Sequence, residues 1–331
     1  MDKKNKLCEV LGIEKPIIQG PMSWVSTAPL VAAVSEAGGF GVLGTAMATP
    51  EFIRTQMQKV KKLTDKPFGF NMGFHPAFLD DDYFQAVLDV INDEHPTAVH
   101  LDALFDIDRA FAEKCFSRWH EAGIKIIVKV FTMADAKLVE EVGADVVLVK
   151  GWEGGGHLTA QTTMVLVPEA ADLVHVPLVA SGGIADGRGM AAAICLGADG
   201  IEMGTAFLAA EETEIHKNAK QAVLDADDFP TVELGASANS PCRQLRNRLS
   251  DEVLNIESSY PKAEAGEKVE ALVGDSLRIA MKEGDVLEKG AVMAGQVAPL
   301  VKTIRPAAQI IDDTLAECKA VLNNAVQFSF E

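Results

Sequence analysis

The sequence has few cysteines, no long hydrophobic run and a deficit of basic residues, and each scarcity excludes a class of protein. Its five cysteines in 331 residues show no Cys-x-x-Cys spacing, which argues against a disulfide framework or a zinc site. No stretch approaches the roughly 18 apolar residues of a membrane-spanning helix, and the first residues lack the apolar segment of a signal peptide. We therefore expect a reduced, cytoplasmic protein without a membrane partner.

Basic side chains are outnumbered by acidic ones, 30 Lys and Arg against 48 Asp and Glu, which gives a net charge of −18. Binding to nucleic acid requires clustered Lys and Arg, so nucleic acid is not an expected partner. Hydrophobic residues make up 48% of the chain. A chain of this length and composition can bury the core of one barrel-sized domain and a smaller attachment.

Apolar, strand-like segments alternate with helical segments along most of the chain. Strands are predicted at 16–20, 40–44, 67–73, 97–101, 125–130, 145–149, 177–180 and 200–203, and helices at 29–37, 50–63, 83–94, 109–122, 136–142 and 190–196. Strands that are apolar on both faces need helices on either side, and eight such units predict an α/β fold, a (β/α)8 TIM barrel. A doubly wound open sheet is the alternative that the same pattern allows.

The alternation stops after about Glu211, where a charged segment with no strand series begins. Helices are predicted within it at 217–224 and 272–281. A last helix at 307–322 carries an apolar stripe, which indicates that it returns to the barrel. We therefore predict a barrel at 1–212, completed by 290–331, and a small helical lid domain at 213–289.

A glycine-rich segment that ends in a histidine follows the sixth predicted strand. Residues 154–156 are glycines, and His157 comes directly after them. Glycines at the end of a strand leave the backbone open to a flat ligand, which makes Gly156 a candidate cofactor-binding residue. The imidazole would face that ligand as a proton donor, acceptor or substrate clamp. We favour this role for His157 over that of a satisfied histidine on a loop.

Two further loops with glycine follow the seventh and eighth strands, where barrels of this type often bind phosphate. The first contains Ser181, Gly182 and Gly183, and the second contains Gly204 and Thr205. Open main-chain N–H groups and a hydroxyl would form an anion site there. Helix caps and tight turns are the alternative role of such glycines, but the two loops together favour phosphate.

Other polar residues at strand ends allow more than one role. Lys129 would stabilise an oxyanion or a reduced flavin if it faces the barrel mouth, but a solvated lysine is an equal alternative. Asn71 could hydrogen-bond the edge of a heterocycle or serve a turn. His100 and Asp102 form a lone His-x-Asp pair without further ligands, so no metal site is expected.

These motifs together resemble those of the nitronate monooxygenase superfamily of FMN-dependent barrels, which includes enoyl-acyl-carrier-protein reductase II. The matching segments are 16–22, 66–71, 154–157, 182–189, 203–205 and 293–296. The resemblance implies bound FMN and NAD(P)H as a co-substrate. It also implies roles for individual residues: flavin contacts from Pro21, Met22 and Asn71, phosphate contacts from Gly182, Gly183, Gly204 and Thr205, a substrate-facing His157, and closure by Met293, Gly295 and Gln296.

The function that the resemblance implies is NADH-dependent reduction of an enoyl thioester in fatty-acid synthesis. The substrate would be a small molecule or a chain linked to acyl carrier protein, and the assembly a homodimer. Nitronate monooxygenase (2-nitropropane dioxygenase) or NADH:quinone reductase activity is the alternative. A further alternative is a flavin-free, non-catalytic relative, because residues 100–105 replace the glycine-rich loop that relatives hold against the flavin.

Overall fold

The computed structural model describes residues 5–46, 48–76, 80–103 and 106–327 of the 331-residue chain. Eight parallel strands form a closed barrel, in which the first strand pairs with both the second and the last. This closure confirms the TIM barrel and excludes the open sheet. The barrel strands are β1 Ile17–Gln19, β2 Phe40–Leu43, β3 Phe68–Gly73, β4 Ala98–Asp102, β5 Lys125–Val130, β6 Val146–Lys150, β8 Leu178–Ser181 and β9 Gly200–Met203.

One helix, α1, precedes the first strand, and the other helices follow the strands and cover the outside of the barrel. They are α1 Lys6–Leu11, α2 Ala28–Glu36, α3 Pro50–Lys61, α4 Asp81–Glu94, α5 Arg109–Glu121, α6 Met133–Glu141, α7 Thr163–Ala171, α8 Gly187–Cys195 and α9 Thr205–Leu208. Sequence reasoning missed α7, because Pro168 lies inside it and its exposed Met164 and Val165 obscure an apolar stripe. Among the described residues, no helix has both the length and the apolar character needed to cross a membrane.

Apolar side chains fill the barrel interior and close its amino-terminal end. Ile18, Phe40 and Leu148 are completely buried there, and Leu7 of α1 belongs to the same cluster. Burying one such side chain contributes about 1.5–3 kcal/mol. Since α1 plugs one end, the carboxyl ends of the strands form the open mouth.

The segment after the barrel contains strands as well as helices, so the expectation of a purely helical lid was wrong. Strands β10 Thr231–Leu234 and β11 Cys242–Leu245 pair antiparallel, and β11 also pairs with β7 Gly156–His157. The helices of this segment are α10 Lys217–Leu224, α11 Arg248–Ser259, α12 Lys262–Val273, α13 Ser276–Arg278 and a π-helix at Ile279–Glu283. The exact domain boundaries remain a prediction.

The carboxyl-terminal helix returns to the barrel as expected. After a 3-10 turn at Ala298–Leu300, α14 Ala307–Ala325 packs mainly against α8. Ile310 and Ile311 of this helix are buried. The Gly187 N–H at the start of α8 donates a 2.8 Å hydrogen bond to Glu317, so a side chain of the last helix satisfies an otherwise open helix terminus.

Candidate active site

A cavity of about 590 Å³ opens at the carboxyl ends of the barrel strands, beneath the lid segment. Most of the residues that the sequence singled out line this one cavity. They are Pro21, Met22, Asn71, Lys129, Gly156, His157, Ser181, Gly182, Gly183, Gly204 and Thr205. Gln296 is exposed and does not line it, although its neighbours Gly295 and Val297 do. The main-chain N–H of Gln296 instead donates a hydrogen bond to the Glu153 carbonyl oxygen at 2.9 Å.

The glycines after β8 and β9 form one wall of the cavity. Gly182 and Gly183 have φ values of 87° and 74°, a conformation that residues with a Cβ rarely adopt. A Cβ on Gly204 would meet only Met22 Sδ, at 3.8 Å, and would otherwise project into open space. In the part of the chain that the structure describes, the N–H groups of Gly183 and Thr205 donate no hydrogen bond. These open amides fit a bound phosphate group.

The carboxyl-terminal segment closes this wall from the side. Thr205 Oγ1 accepts a 2.9 Å hydrogen bond from the Gly295 N–H, which leaves the hydroxyl proton free to donate. A Cβ on Gly155 would lie 2.6 Å from the carbonyl carbon of Ala294. Glycine at position 155 therefore allows the segment to approach the histidine loop closely.

A buried network of charged side chains forms the floor of the cavity. Lys129 Nζ lies 3.0 Å from Asp102 Oδ1 and 3.6 Å from Glu202 Oε1. The contact with Asp102 Oδ1 is an ion pair without the geometry of a hydrogen bond. Lys129 is 8% exposed and lines the cavity, so it faces the barrel mouth and is not a solvated lysine. Asn71 Nδ2 donates to Asp102 Oδ2 at 2.9 Å, and Ser181 Oγ donates to Glu202 at 2.8 Å.

His100 belongs to this network. Its Nε2 lies 3.0 Å from Glu202 Oε2, and its ring is completely buried below the cavity. Among the described residues, no cluster of His, Cys, Asp or Glu has a geometry that could hold a metal ion. Leu104 and Phe105, part of the loop that motivated a flavin-free reading, lie outside the described residues.

The network holds both carboxylates in the charged form. Burial alone would raise the pKa of Glu202, but the charge of Lys129 and the hydrogen bonds from His100 and Ser181 outweigh it and lower this pKa to about 2. The pKa of Asp102 is lowered in the same way, mainly by Lys129, against the effect of burial. The pKa of Lys129 is raised, because the two carboxylates outweigh its burial.

His157 stands at the rim, where its main chain joins the lid sheet. His157 lies opposite Cys242 in the antiparallel pairing of β7 with β11. The Leu158 N–H donates a 2.9 Å hydrogen bond to the Pro241 carbonyl oxygen. The side chain keeps an open surface because it faces the cavity. Surrounding protein and then the positive charge of Lys150 lower its pKa, so the imidazole is neutral at pH 7.

Lys150, the last residue of β6, is a site residue that sequence reasoning missed. Its side chain lines the cavity and is 8% exposed. In the sequence it reads as the polar end of an apolar strand. The strand register carries the missing signal, because Lys150 pairs with Ser181, which pairs with Glu202, so all three meet at one level of the barrel.

The lid supplies an apolar wall to the same cavity. Its members are Leu234, Ala238, Val269, Val273, Leu277 and Met281, joined by Met293 and Val297 of the returning segment. The cavity therefore combines a cradle for an anion, a charged floor, a neutral histidine and an apolar side. Such a site can hold a planar cofactor and an aliphatic substrate together.

These features define a ligand-binding enzyme barrel with its site at the strand ends. The sequence profile of the family described as Nitronate monooxygenase matches residues 4–317. The chain belongs to the nitronate monooxygenase family and is an oxidoreductase.

Relatives and solved structures agree with this assignment. The chain is 34% identical, over 76% of its length and 69% of the relative, to (3aS,4S,5R,7aS)-5-hydroxy-7a-methyl-1-oxo-octahydro-1H-indene-4-carboxyl-CoA dehydrogenase of Mycobacterium tuberculosis. It is 28% identical, over 97% of its length and 99% of the relative, to a probable nitronate monooxygenase of Staphylococcus aureus. The structure of FabK from Thermotoga maritima superimposes with a TM-score of 0.89 and 36% identity, covering 99% of this chain and 100% of FabK. A nitroalkane oxidase from Streptomyces ansochromogenes gives a TM-score of 0.79 and 28% identity, covering 96% of this chain and 99% of the oxidase.

Proposed function

We propose that the chain is an FMN-dependent reductase of enoyl thioesters that uses NADH as its reductant. The observation that carries this proposal is that the apolar wall of the lid and the glycine cradle line one and the same cavity. The cradle fits the phosphate of FMN, and the wall fits an acyl chain. Bound FMN would supply hydride transfer to the β-carbon of the enoyl group.

Residues of the chain have separate roles in this proposal. Gly183 and Thr205 offer N–H groups to the phosphate, and Gly204 leaves room for it. Asn71 and Lys129 line the floor of the cavity and would offer polar atoms to the ring system of the cofactor. His157, neutral at pH 7, can donate an N–H to the thioester carbonyl and orient it, or assist protonation of the α-carbon.

A thioester substrate has support from one relative as well. The 34% identical protein of Mycobacterium tuberculosis carries a carboxyl-CoA group in its name, so a related chain acts on an acyl-CoA thioester. Oxidation of nitronates is the second candidate function, favoured by the family match and by the Staphylococcus aureus relative. A nitronate is small and anionic, and it would leave most of the apolar wall without a partner.

Turnover assays separate the candidates. The purified chain, titrated with FMN, should oxidise NADH only when crotonyl-CoA is added, and should do so without oxygen. Oxygen consumption with propyl-2-nitronate in the absence of NADH would instead establish the monooxygenase function. NADH oxidation with a quinone but not with crotonyl-CoA would indicate a quinone reductase. A chain that remains colourless after FMN addition would support the non-catalytic reading.

Gly204→Ala tests the cofactor part of the proposal by itself. The added methyl group meets no atom of the protein closer than 3.8 Å, so the melting temperature should stay unchanged. Because the methyl group enters the cradle, the dissociation constant of FMN should rise about tenfold, which corresponds to ~1.4 kcal/mol. Flavin fluorescence quenching measures this constant. Equal FMN affinities in the variant and the wild type would show that the glycine cradle does not bind the phosphate.

A further inference from the structure

Lys150 is a buried cation whose hydrogen-bond partners are main-chain atoms of the histidine loop. Its Nζ donates to the carbonyl oxygen of Gly155 at 2.5 Å and to that of His157 at 2.8 Å. Within the described ranges, no carboxylate lies at ion-pair distance from it, in contrast to Lys129 on the neighbouring strand. The N–H groups of the ammonium therefore stabilise the conformation of the histidine loop.

The loop is built around the side chain of this lysine. A Cβ on Gly154 would collide with Lys150 Cε, and a Cβ on Gly156 would lie 3.9 Å from Nζ. Gly156 has a φ of 73°, which turns the chain back over the ammonium. Since Lys150 ends a barrel strand, its side chain joins the loop to the rigid barrel.

Charged and titratable groups from five elements face this ammonium. Burial and then the charge of Lys129 on β5 disfavour its protonated form, whereas Glu202 on β9 and Asp102 on β4 favour it. Cys242 on β11 and the His157 imidazole on β7 complete the surroundings. The balance lowers the pKa of Lys150 to about 8. Charge-assisted hydrogen bonds weaken when the charge is lost.

We propose that Lys150 is a positioning residue for His157, whose ammonium holds residues 154–157 against β6 and fixes the direction in which the imidazole enters the cavity. This role deepens the proposed function and rests on it for its use in catalysis. The hydrogen bonds of Lys150 to the loop are present in the chain without substrate. Deprotonation of Lys150 weakens both hydrogen bonds and removes a positive charge from beside the imidazole.

The test follows the His157 ring by nitrogen-15 NMR in the full-length chain without substrate, with His157→Asn identifying its signals among the seven histidines. In the wild type, the signals should show a second inflection near pH 8, where Lys150 loses its proton. Lys150→Met should abolish that inflection and raise the pKa of His157, because a nearby positive charge is gone. Amide hydrogen exchange across residues 154–157 should become faster.

Lys220→Met is the matched control. Lys220 is also 8% exposed and donates to two main-chain carbonyls, of Ala210 at 2.7 Å and Glu211 at 3.1 Å. It does not line the cavity, so its loss should leave the His157 titration unchanged. A general loss of stability would affect both variants alike.

Two outcomes overturn the inference: a wild type without the alkaline inflection, or a Lys150→Met chain with the wild-type His157 titration and loop exchange. If Lys150→Met fails to fold, Lys150→Arg replaces it, since a permanently charged side chain should also remove the inflection. The measurement needs no turnover. A chain that shows the coupling but reduces no enoyl thioester would disprove the proposed function alone, and the reverse result would disprove the role of Lys150 alone.

Discussion

His157 is positioned through its main chain. Its strand partner is Cys242, and the carbonyl oxygen of His157 accepts from Lys150. Within the described part of the chain, no group forms a hydrogen bond with the imidazole. Both ring nitrogens are therefore available to a ligand in the cavity.

His157→Gln should reduce kcat for crotonyl-CoA by about 100- to 10,000-fold, the range that a positioned proton donor contributes. The affinity for FMN should stay within twofold, since the phosphate cradle is formed by other residues. Steady-state kinetics and FMN titration measure the two effects. His175→Gln is the control, because that side chain is 90% exposed and lies just before β8, at the end of the barrel remote from the cavity. Equal losses in the two variants would contradict the assignment.

The sequence predicted those site residues that local patterns mark, and it missed those that depend on strand pairing. The glycines before His157 and after β8 are visible because glycine at the end of a strand is a local signal. Glu202 and Lys150 are single polar residues in apolar strands. Their meeting depends on the register between β6, β8 and β9, which exists only in the closed barrel.

The lid is the element that completes the cavity. Val269 and Val273 of α12 face the cavity, and Gly274 ends the helix before α13 begins. The predicted continuous helix at 272–281 is divided there, since the chain changes from α12 to α13 and then to a π-helix. The strands of the lid escaped prediction because each has only two to four residues and pairs with partners distant in sequence.

Val273→Trp should narrow the apolar side of the cavity. The specificity constant kcat/KM should fall at least tenfold for a long enoyl thioester and much less for crotonyl-CoA, because only a long chain reaches this wall. Ala271→Trp is the control on the same helix, as Ala271 is exposed and does not line the cavity. Equal losses for both chain lengths would place the acyl chain elsewhere.

Across the whole molecule, the barrel fold was predictable and its interior charge was not. Continuous apolar strands and helical connections indicate a parallel sheet covered by helices, and the count of eight favours a barrel. All eight strands begin and end within one residue of their predicted positions. The net charge of −18 indicates that the protein surface is acidic. It gives no indication of two carboxylates and a lysine that meet inside the barrel.

That interior network should control stability in acid. The pKa of Glu202 in the folded chain is about 2, below the value of about 4.3 in an unfolded chain. Its contribution is therefore fully present above pH 4.3 and is lost as the pH falls through 2. The difference corresponds to roughly 3 kcal/mol. Urea unfolding between pH 5 and 2 should show a shallower pH dependence in Glu202→Gln than in the wild type.

Glu288→Gln is the control for this experiment, because Glu288 forms an exposed ion pair with Arg248. Pairs of that kind contribute about 0–1 kcal/mol, so its unfolding profile should match the wild type. If Glu202→Gln and the wild type lose stability in parallel down to pH 2, the carboxylate is not held charged by the network.

The pairing of β7 with β11 has a consequence for biosynthesis. All eight barrel strands have been translated once residue 203 has been added, whereas the ribosome reaches Cys242, the partner of His157, 39 residues later. The Gly295 amide that binds Thr205 follows later still. A nascent chain can thus contain all eight barrel strands before the strand partner of His157 and the amide partner of Thr205 have been synthesised.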